Sequence, residues 1–291
     1  MSFVILDLEW DSAYCKKKSG FINQIIQIGA VKLDDDFRFV DSFSRTIRSQ
    51  VSKKVTKRFT ELTGITTENM LAGVSIDTAV SEYNEWVGED AITLTWSTSD
   101  LYAIMSNVKF LLRDGLKFKI GKYVDLQSFV QNELRLKGHE ITNQISLSAA
   151  AEILGVSTEM FDLHTALDDS TVTAALLKMT YNRERFLPYI KDASDPEFYK
   201  KLTFKAYYIN KLTDKRVEPK HLTFICDKCG NEATRSKKWK YKNHWFTGEF
   251  ICLKCGNKFL GRVMFKVTYN GLKVAKRILQ PTERNKQDVS V

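Results

Sequence analysis

The sequence lacks any long stretch of uncharged residues. Its longest run without a charge, Ser19–Val31, has only 13 residues, whereas a membrane-spanning helix needs about 20 apolar residues. The first ten residues contain neither the basic start nor the cleavage site of a secretory signal. No internal repeat or low-complexity segment is present. With 43% hydrophobic and 27% charged residues in a chain of 291, the composition excludes a fibrous or disordered protein, and we expect a cytoplasmic protein that does not bind membranes.

Cysteine is scarce, and its placement is informative. Four of the five cysteines form two C-x-x-C pairs that are 22 residues apart, and a glycine follows each pair. Without an export signal, this pattern favours a metal site over disulfides. It resembles a zinc ribbon, in which four thiolates hold one structural Zn²⁺; the alternative is two buried, reduced pairs. The predicted zinc ligands are Cys226, Cys229, Cys252 and Cys255, and we expect Cys15 to be an ordinary thiol.

Basic residues are concentrated at the carboxyl-terminal end. Residues 201–291 hold 21 Lys and Arg against 7 Asp and Glu, a net charge of +14, whereas residues 1–200 have a net charge of −5. Aromatic residues such as Trp239, Tyr241 and Trp245 are interleaved with the lysines. Cations beside aromatic rings suit the phosphates and bases of nucleic acid. We therefore expect a nucleic-acid partner, the alternative being a lysine-rich surface that only maintains solubility.

Hydrophobic periodicity divides the first 181 residues into strands and helices. Apolar or alternating runs predict strands over Phe3–Leu8, Gln24–Leu33, Phe37–Ile47 and Ala91–Trp96, with a hairpin turn at the three aspartates after Leu33. Helical patterns cover Thr60–Thr66, Ile76–Val87, Asp100–Leu112, Asp125–Leu136, Ser146–Leu154 and Leu163–Tyr181. Strands followed by alternating strands and helices indicate an α/β layer fold.

The periodicity breaks between Pro188 and Pro196, where the sequence KDASDPE predicts a domain boundary. We expect a first domain over residues 1–190 and a small, β-rich second domain over residues 200–291. Short β-like runs surround the cysteine pairs in the second domain, over Leu222–Ile225, Phe250–Cys252, Val263–Tyr269 and Lys273–Leu279.

Acidic residues follow two of the predicted strands. Asp7 and Glu9 end the first strand, and because alternate strand residues face the same side, their carboxylates project together. Two carboxylates this close repel each other unless a cation lies between them, and their oxygens suit Mg²⁺ or Mn²⁺. Asp100 follows the strand Ala91–Trp96, where it could alternatively cap the next helix.

A histidine and an aspartate accompany the last predicted helix. His164 and Asp169 open this helix within the sequence HTALDD and could flank one pocket. Taken alone, His164 could be a helix cap, while Asp168 and Asp169 could be favourable charges near the helix start. We expect Asp168 to be a solvated neighbour. His139, His221 and His244 have no motif partner, so we expect them at the surface.

In chain order, these segments resemble the three motifs of DnaQ-like DEDDh 3′–5′ exonucleases. ILDLEW followed by IIQIGAVKL resembles the first motif, WSTSD the second and HTALDD the third, and FTELTGIT lies between them. The resemblance covers approximately residues 1–181. It implies a ribonuclease-H-like mixed sheet flanked by helices, with Asp7, Glu9, Asp100, His164 and Asp169 as catalytic residues. Gln27 stands where many relatives carry Glu, and we expect it to be peripheral to the chemistry.

The implied activity is hydrolysis of nucleic acid from its 3′ end to 5′-mononucleotides. Two Mg²⁺ or Mn²⁺ ions held by Asp7, Glu9, Asp100 and Asp169 would support the reaction, with His164 taking a proton from the attacking water. The W-x-x-x-D form of the second motif resembles the KapD-like branch that trims small RNA and histone mRNA, which favours single-stranded RNA over DNA. Trp10 follows Glu9 and either packs inside or contacts the terminal nucleotide. The alternatives are a proofreading-type DNA exonuclease and a non-catalytic nucleic-acid-binding protein on the same scaffold.

Overall fold

The computed structural model describes residues 2–158 and 164–280, which divide into two compact units between Phe198 and Tyr199. Leu163, the expected first residue of the helix Leu163–Tyr181, lies outside the described residues, as do residues 281–291 of the expected second domain. Within the described ranges, no helix combines the length and the apolar character that crossing a bilayer requires.

A mixed sheet forms the centre of the first unit. Its described strands are β1 (Ser2–Cys15), β2 (Gly20–Leu33), β3 (Phe39–Thr46), β4 (Ala91–Thr95), β5 (Lys122–Asp125) and β6 (Lys191–Asp192). They are arranged in the order β3-β2-β1-β4-β5-β6. β1 pairs antiparallel with β2 and parallel with β4, and β4 pairs parallel with β5. This arrangement confirms the α/β class and the mixed sheet flanked by helices.

Helices cover both faces of this sheet. They are α1 (Lys57–Thr63), α2 (Thr67–Ala72), α3 (Ile76–Val87), α4 (Ser99–Phe110), α5 (Leu126–Leu136), α6 (Leu147–Leu154), α7 (Ala166–Thr180) and α8 (Arg183–Phe186). Phe3 and Ile5 point from β1 into a core formed with α5, α6 and α7. On the opposite face, α3 contacts β2 and β3, and α4 contacts β1 and β2. Because apolar side chains cover both faces of the sheet, β4 is buried along its whole length.

Several elements of this unit differ from the sequence expectations, among them strand β5 and helix α8, which were not predicted. β1 extends beyond Leu8 to Cys15, and β2 begins at Gly20 rather than at Gln24, so the two strands form a long hairpin around Lys16–Lys18. The extension was missed because buried Asp11 interrupts the apolar run; its carboxylate instead accepts hydrogen bonds from Thr56. The short helix α2 was also missed, and a capping box at its first turn stabilises it.

The second unit is a β-rich domain with a cysteine cluster. Its described strands are β7 (Tyr207–Tyr208), β8 (Phe224–Ile225), β9 (Glu232–Arg235), β10 (Lys240–Lys242), β11 (Trp245–Ile251), β12 (Lys258–Thr268) and β13 (Gly271–Leu279), and helix α9 (Pro196–Thr203) spans the boundary. The strands follow the order β13-β12-β11-β9-β8, with β10 beside β11 and β7 beside β12. One side of this sheet carries an aromatic core that includes Phe250, Phe259 and Phe265. The sequence correctly indicated a small β-rich domain here.

Candidate functional site

Strand β1 supplies the first two acidic side chains. Asp7 and Glu9 lie two residues apart on this strand and therefore face the same side of the sheet. Asp169 of α7 joins them, and carboxylate oxygens of the three residues all lie within 4.8 Å of one another. The tertiary structure thus brings the first and third motifs into one cluster.

Asp100 is placed by the unequal lengths of two strands. The pairing of β1 with β4 ends at Ile5 and Leu94, so the continuation of β1 has no partner from β4. Asp100, in the first turn of α4, accepts a hydrogen bond from the backbone N–H of Leu8 at 3.1 Å. The carboxylate therefore accepts a backbone hydrogen bond where β1 has no pairing with β4. The side chain of Asp100 is only 3% exposed. It lies outside the group of three but raises the pKa of Asp7 by its charge.

Helix α7 approaches the sheet at a glycine. A Cβ atom added to Gly29 of β2 would lie 2.2 Å from the carbonyl carbon of Ala166, so only glycine allows this approach. Next to it, Oε1 of Gln27 accepts a hydrogen bond from the N–H of Ala166 at 2.9 Å. These two residues of β2 hold the first turn of α7, and with it Asp169, against β1. From the sequence, Gln27 was expected to be peripheral to the chemistry and Gly29 was not predicted to matter, although an isolated glycine in a strand signals close backbone contact.

His164 lies just before α7 and is exposed. Its backbone φ is 87°, a left-handed conformation that residues other than glycine rarely adopt. Its N–H points toward Oδ1 of Asp169 at 3.4 Å, and Thr165 caps the helix by accepting from the N–H of Asp168. His164 therefore lies next to the carboxylate of Asp169 at an exposed position.

Electrostatic repulsion and burial both oppose ionisation of the cluster. Burial and the negative charges of its three carboxylate neighbours raise the pKa of Asp7 well above its usual range. Burial, followed by the charges of Asp169 and Asp100, raises the pKa of Glu9 to about 8. Burial also raises the pKa of Asp100 to about 7, and that of Asp169 above its usual value, although His164 partly offsets the second shift.

The chemistry of this cluster fits a bound divalent cation. Across residues 2–158 and 164–280, no Lys or Arg forms an ion pair with any of the four carboxylates. Buried anions without a countercharge are costly, and hard oxygen ligands are those that Mg²⁺ and Mn²⁺ prefer. The acidic cluster is therefore a candidate metal centre.

Trp10 and Asp168 lie beside this centre. Trp10 follows Glu9 on β1 and is half-buried. A register shift between β1 and β2 falls between these two residues. The role of Trp10 in substrate binding stays a prediction. Asp168 accepts a hydrogen bond from the hydroxyl of Thr165 at 2.8 Å, and so contributes to the helix cap.

The four cysteines of the second unit form a compact cluster. All four Sγ atoms lie within 4.8 Å of one another, with Cys226 and Cys255 at 3.6 Å and Cys229 and Cys252 at 3.4 Å. A disulfide requires about 2.05 Å between its sulfurs, whereas ligands at the tetrahedral Zn–S distance of about 2.3 Å lie about 3.8 Å apart. The spacing fits a tetrahedral zinc site.

The two cysteine turns have the same construction. In each, a glycine with φ near 70°, Gly230 or Gly256, allows the chain to turn back. The asparagine that follows contacts a sulfur: Asn231 donates to Cys229 at 3.4 Å and Asn257 donates to Cys226 at 3.5 Å. The side-chain and backbone amides of Asn231 lower the pKa of Cys229 to about 6, whereas the hydrogen bond with Cys229, followed by burial, raises the pKa of Cys255 to about 12.

A mixed sheet with flanking helices and this carboxylate cluster defines the first unit as a nuclease fold of the DEDDh type. The profile of the exonuclease family RNase_T matches residues 4–177. The chain therefore belongs to this exonuclease family.

Curated relatives include polymerases and a probable exonuclease. The chain is 28% identical over 224 residues to a DNA polymerase III PolC-type of Clostridium perfringens, which covers 77% of this chain and 14% of the relative. It thus spans about one seventh of that polymerase. It is also 28% identical over 194 residues to the probable 3′-5′ exonuclease KapD of Bacillus subtilis, covering 64% of this chain and 87% of KapD.

Among solved structures, the nuclease domain of 3′hExo, a DEDDh family member bound to rAMP, matches with a TM-score of 0.51 and 19% identity, covering 64% of this chain and 92% of that chain. A 3′-exonuclease in a structure of 3′-end-specific recognition of a histone mRNA stem-loop matches with a TM-score of 0.50 and 17% identity, over 66% of this chain and 84% of that chain. At these identities the matches establish a shared fold.

Proposed function

We propose that this protein is a metal-dependent 3′–5′ exonuclease that releases 5′-mononucleotides from single-stranded nucleic acid, with RNA favoured over DNA. The observation that carries this proposal is the convergence of four carboxylates from β1, α4 and α7, with no Lys or Arg ion pair among the residues that the structure describes. Family membership supports the same reaction class.

The residues of the site divide the work of phosphodiester hydrolysis. Two Mg²⁺ or Mn²⁺ ions held by the four carboxylates would activate the attacking water and stabilise charge on the leaving oxygen. His164, exposed beside Asp169, would accept the proton of the attacking water. Gln27 and Gly29 would position His164 and Asp169 through the first turn of α7. Trp10 would contact the terminal nucleotide only if its side chain turns toward the cluster.

Two observations favour RNA. The second motif, WSTSD, resembles that of the KapD-like branch of RNA-trimming enzymes. Two structural neighbours are described with a ribonucleotide or a histone mRNA stem-loop.

A DNA exonuclease of the proofreading type is the second candidate. It is favoured by the similarity to PolC-type DNA polymerases, which extends over 77% of this chain. A third hypothesis, a non-catalytic nucleic-acid-binding protein, predicts that the carboxylates bind no catalytic metal and that hydrolysis is absent.

Digestion of 3′-labelled and 5′-labelled RNA and DNA of matched sequence, with Mg²⁺ or Mn²⁺, tests these candidates. We expect 3′-labelled mononucleotides to appear first, and RNA to be degraded faster than DNA. Asp169→Asn should abolish hydrolysis, while Asp168→Asn, a matched change at the neighbouring residue, should preserve it. Faster degradation of DNA would favour the proofreading candidate, and no hydrolysis with either metal would contradict the enzyme.

For the cysteine cluster, the proposal is a structural zinc ribbon. The two C-x-x-C-G-N turns and their sulfur spacing support it. Metal analysis should find one Zn²⁺ per chain in the parent and in Cys15→Ser, and none in Cys226→Ser with Cys229→Ser. Zinc retained by the double variant would contradict the assignment.

A further inference from the structure

The sheet of the second unit has one face that does not carry its aromatic core. Phe246, Val263 and Phe265 point into that core, so residues of alternate parity on β10–β13 face the other side. That side bears seven basic side chains and Trp245. We refer to these residues as the cationic face: Lys240, Lys242, Trp245, Lys258, Arg262, Lys266, Lys273 and Arg277.

Strand register arranges these cations in rows across the sheet. Lys240 lies opposite Thr247, which lies opposite Arg262, which lies opposite Arg277. The row crosses four strands and spans about 14 Å at the usual strand spacing. Farther along β12, Lys266 lies opposite Lys273 on one side and Tyr208 on the other.

These pairings break a rule of sheet stability. Like charges placed directly opposite one another on neighbouring strands are destabilising, yet Arg262 faces Arg277 and Lys266 faces Lys273. One acidic residue on these four strands, Glu249, shares the face, and Lys237 already pairs with it at 3.0 Å. The repulsion between Arg262 and Arg277, and between Lys266 and Lys273, is the charge pattern of a surface that binds an anionic partner.

Aromatic rings hold part of this array in place. The guanidinium groups of Arg262 and Arg277 lie 5.0 and 5.2 Å from the ring centre of Trp245. At the β10–β11 turn, exposed His244 stacks on Tyr208 at 4.0 Å with an interplanar angle of 14°. Fixed guanidinium planes bind phosphates and also stack against bases.

We infer that the cationic face binds single-stranded nucleic acid, with phosphates along the Lys240–Arg277 row and bases against the Trp245 and His244 region. A single strand is the occupant because bases reach aromatic rings only when they are unpaired. The inference rests on the proposed function in one respect, namely that the bound strand is the substrate of the first unit.

Binding is measured separately from cleavage. Asp7→Asn serves as the background, without a chelator that would remove zinc, and fluorescence anisotropy follows a labelled oligouridylate over a series of salt concentrations. Lys273→Ala with Arg277→Ala should weaken binding about tenfold and flatten the slope of log affinity against log salt by about 1.4, since each lost contact removes about 0.7. The single substitution Arg277→Gln, at an exposed position, should cause about half of the change in slope. If circular dichroism shows that the double variant is unfolded, this single variant is used in its place.

The matched control removes the same charge elsewhere in this unit. Lys211 and Lys228 are exposed and lie outside the cationic face, so Lys211→Ala with Lys228→Ala should change affinity less than twofold. An equal effect of the two pairs would overturn the inference, because net charge alone would then explain binding. Unchanged affinity of the Lys273–Arg277 variant, tighter binding of a duplex, or displacement of the strand by polyglutamate at equal charge would also overturn it.

Cleavage distinguishes the two proposals. With Asp7 restored, the Lys273–Arg277 variant should degrade short oligonucleotides at the parental rate and show a raised KM for long ones. If the parent binds strands through this face but cleaves nothing, the proposed function is contradicted and the inference about the cationic face is supported. If the parent cleaves and the variant binds and cleaves long strands normally, the surface fails and the proposed function stands.

Discussion

Replacing Asp100 by asparagine should stabilise the protein at alkaline pH when divalent cations are absent, although it removes a carboxylate of the proposed metal site. Asp100 is 3% exposed, and burial raises its pKa from an ordinary value of 3.8 to about 7. Asparagine keeps an oxygen that can accept the hydrogen bond from the N–H of Leu8. The substitution therefore removes mainly the buried charge.

The sign follows from proton binding. The unfolded chain releases the Asp100 proton near pH 3.8, whereas the folded protein retains it up to about pH 7. The stability of the parent therefore falls as pH rises through this window, and the loss is complete above it. About three pKa units at about 1.4 kcal/mol each give an upper limit of about 4 kcal/mol.

The buried amide of asparagine also has a desolvation cost. We therefore expect Asp100→Asn to raise the free energy of unfolding by about 2 kcal/mol above pH 7, and to change it little below pH 3.8. For a unit of this size, that gain raises Tm by about 4–8 °C.

Calorimetry measures the difference in Tm between Asp100→Asn and the parent. The buffers are freed of divalent cations on a chelating resin, so that the zinc site is not exposed to a chelator. Asp90→Asn, at an exposed position, is the control and should leave Tm unchanged at every pH. Adding Mg²⁺ should make the parent more stable than Asp100→Asn, because the parent keeps all four carboxylates of the proposed metal site. A variant that is no more stable than the parent above pH 7 would refute the reasoning that burial of the charge is costly.

Four further predictions follow from the site. Gly29→Ala should cost about 1–3 kcal/mol and most of the activity, since the added methyl group collides with α7. Gly121→Ala, where no atom of the described residues lies within 4 Å of the added methyl group, should leave Tm and kcat nearly unchanged. Gln27→Leu should lower stability by about 1–3 kcal/mol by leaving a helix N–H unpaired, whereas Gln27→Glu, which keeps an acceptor, should lose less in the same thermal unfolding assay. His164→Ala should abolish turnover while calorimetric titration still detects Mg²⁺ binding, and His164→Asn should not restore it; an unchanged pH–rate profile would contradict a role as base. Trp10→Ala should raise KM about tenfold if the ring stacks on the terminal base, whereas a lower Tm with unchanged KM would identify Trp10 as a packing residue.

Local spacing was sufficient for the features that lie within one element. Alternation along β1 places Asp7 and Glu9 on one face wherever that strand lies in the sheet. The C-x-x-C-G turns likewise depend on a few neighbouring residues, so the cysteine pairs were predictable. The charge contrast between the two halves of the chain also needs no coordinates. These properties are set by bonded geometry and composition.

Relations between elements required the tertiary structure. Asp100 contacts β1 because the pairing of β4 with β1 ends at Ile5, before it reaches Leu8. Where a strand ends depends on its packing against helices. Gln27 and Gly29 acquire importance only once α7 lies across β2. Residues far apart in sequence become neighbours through strand register and helix docking, which long-range burial decides. The sequence by itself therefore determined which residues carry the chemistry, while the tertiary structure decided which backbone groups hold them. Only the tertiary structure shows that Arg262 and Arg277 lie opposite each other, because register is a property of paired strands.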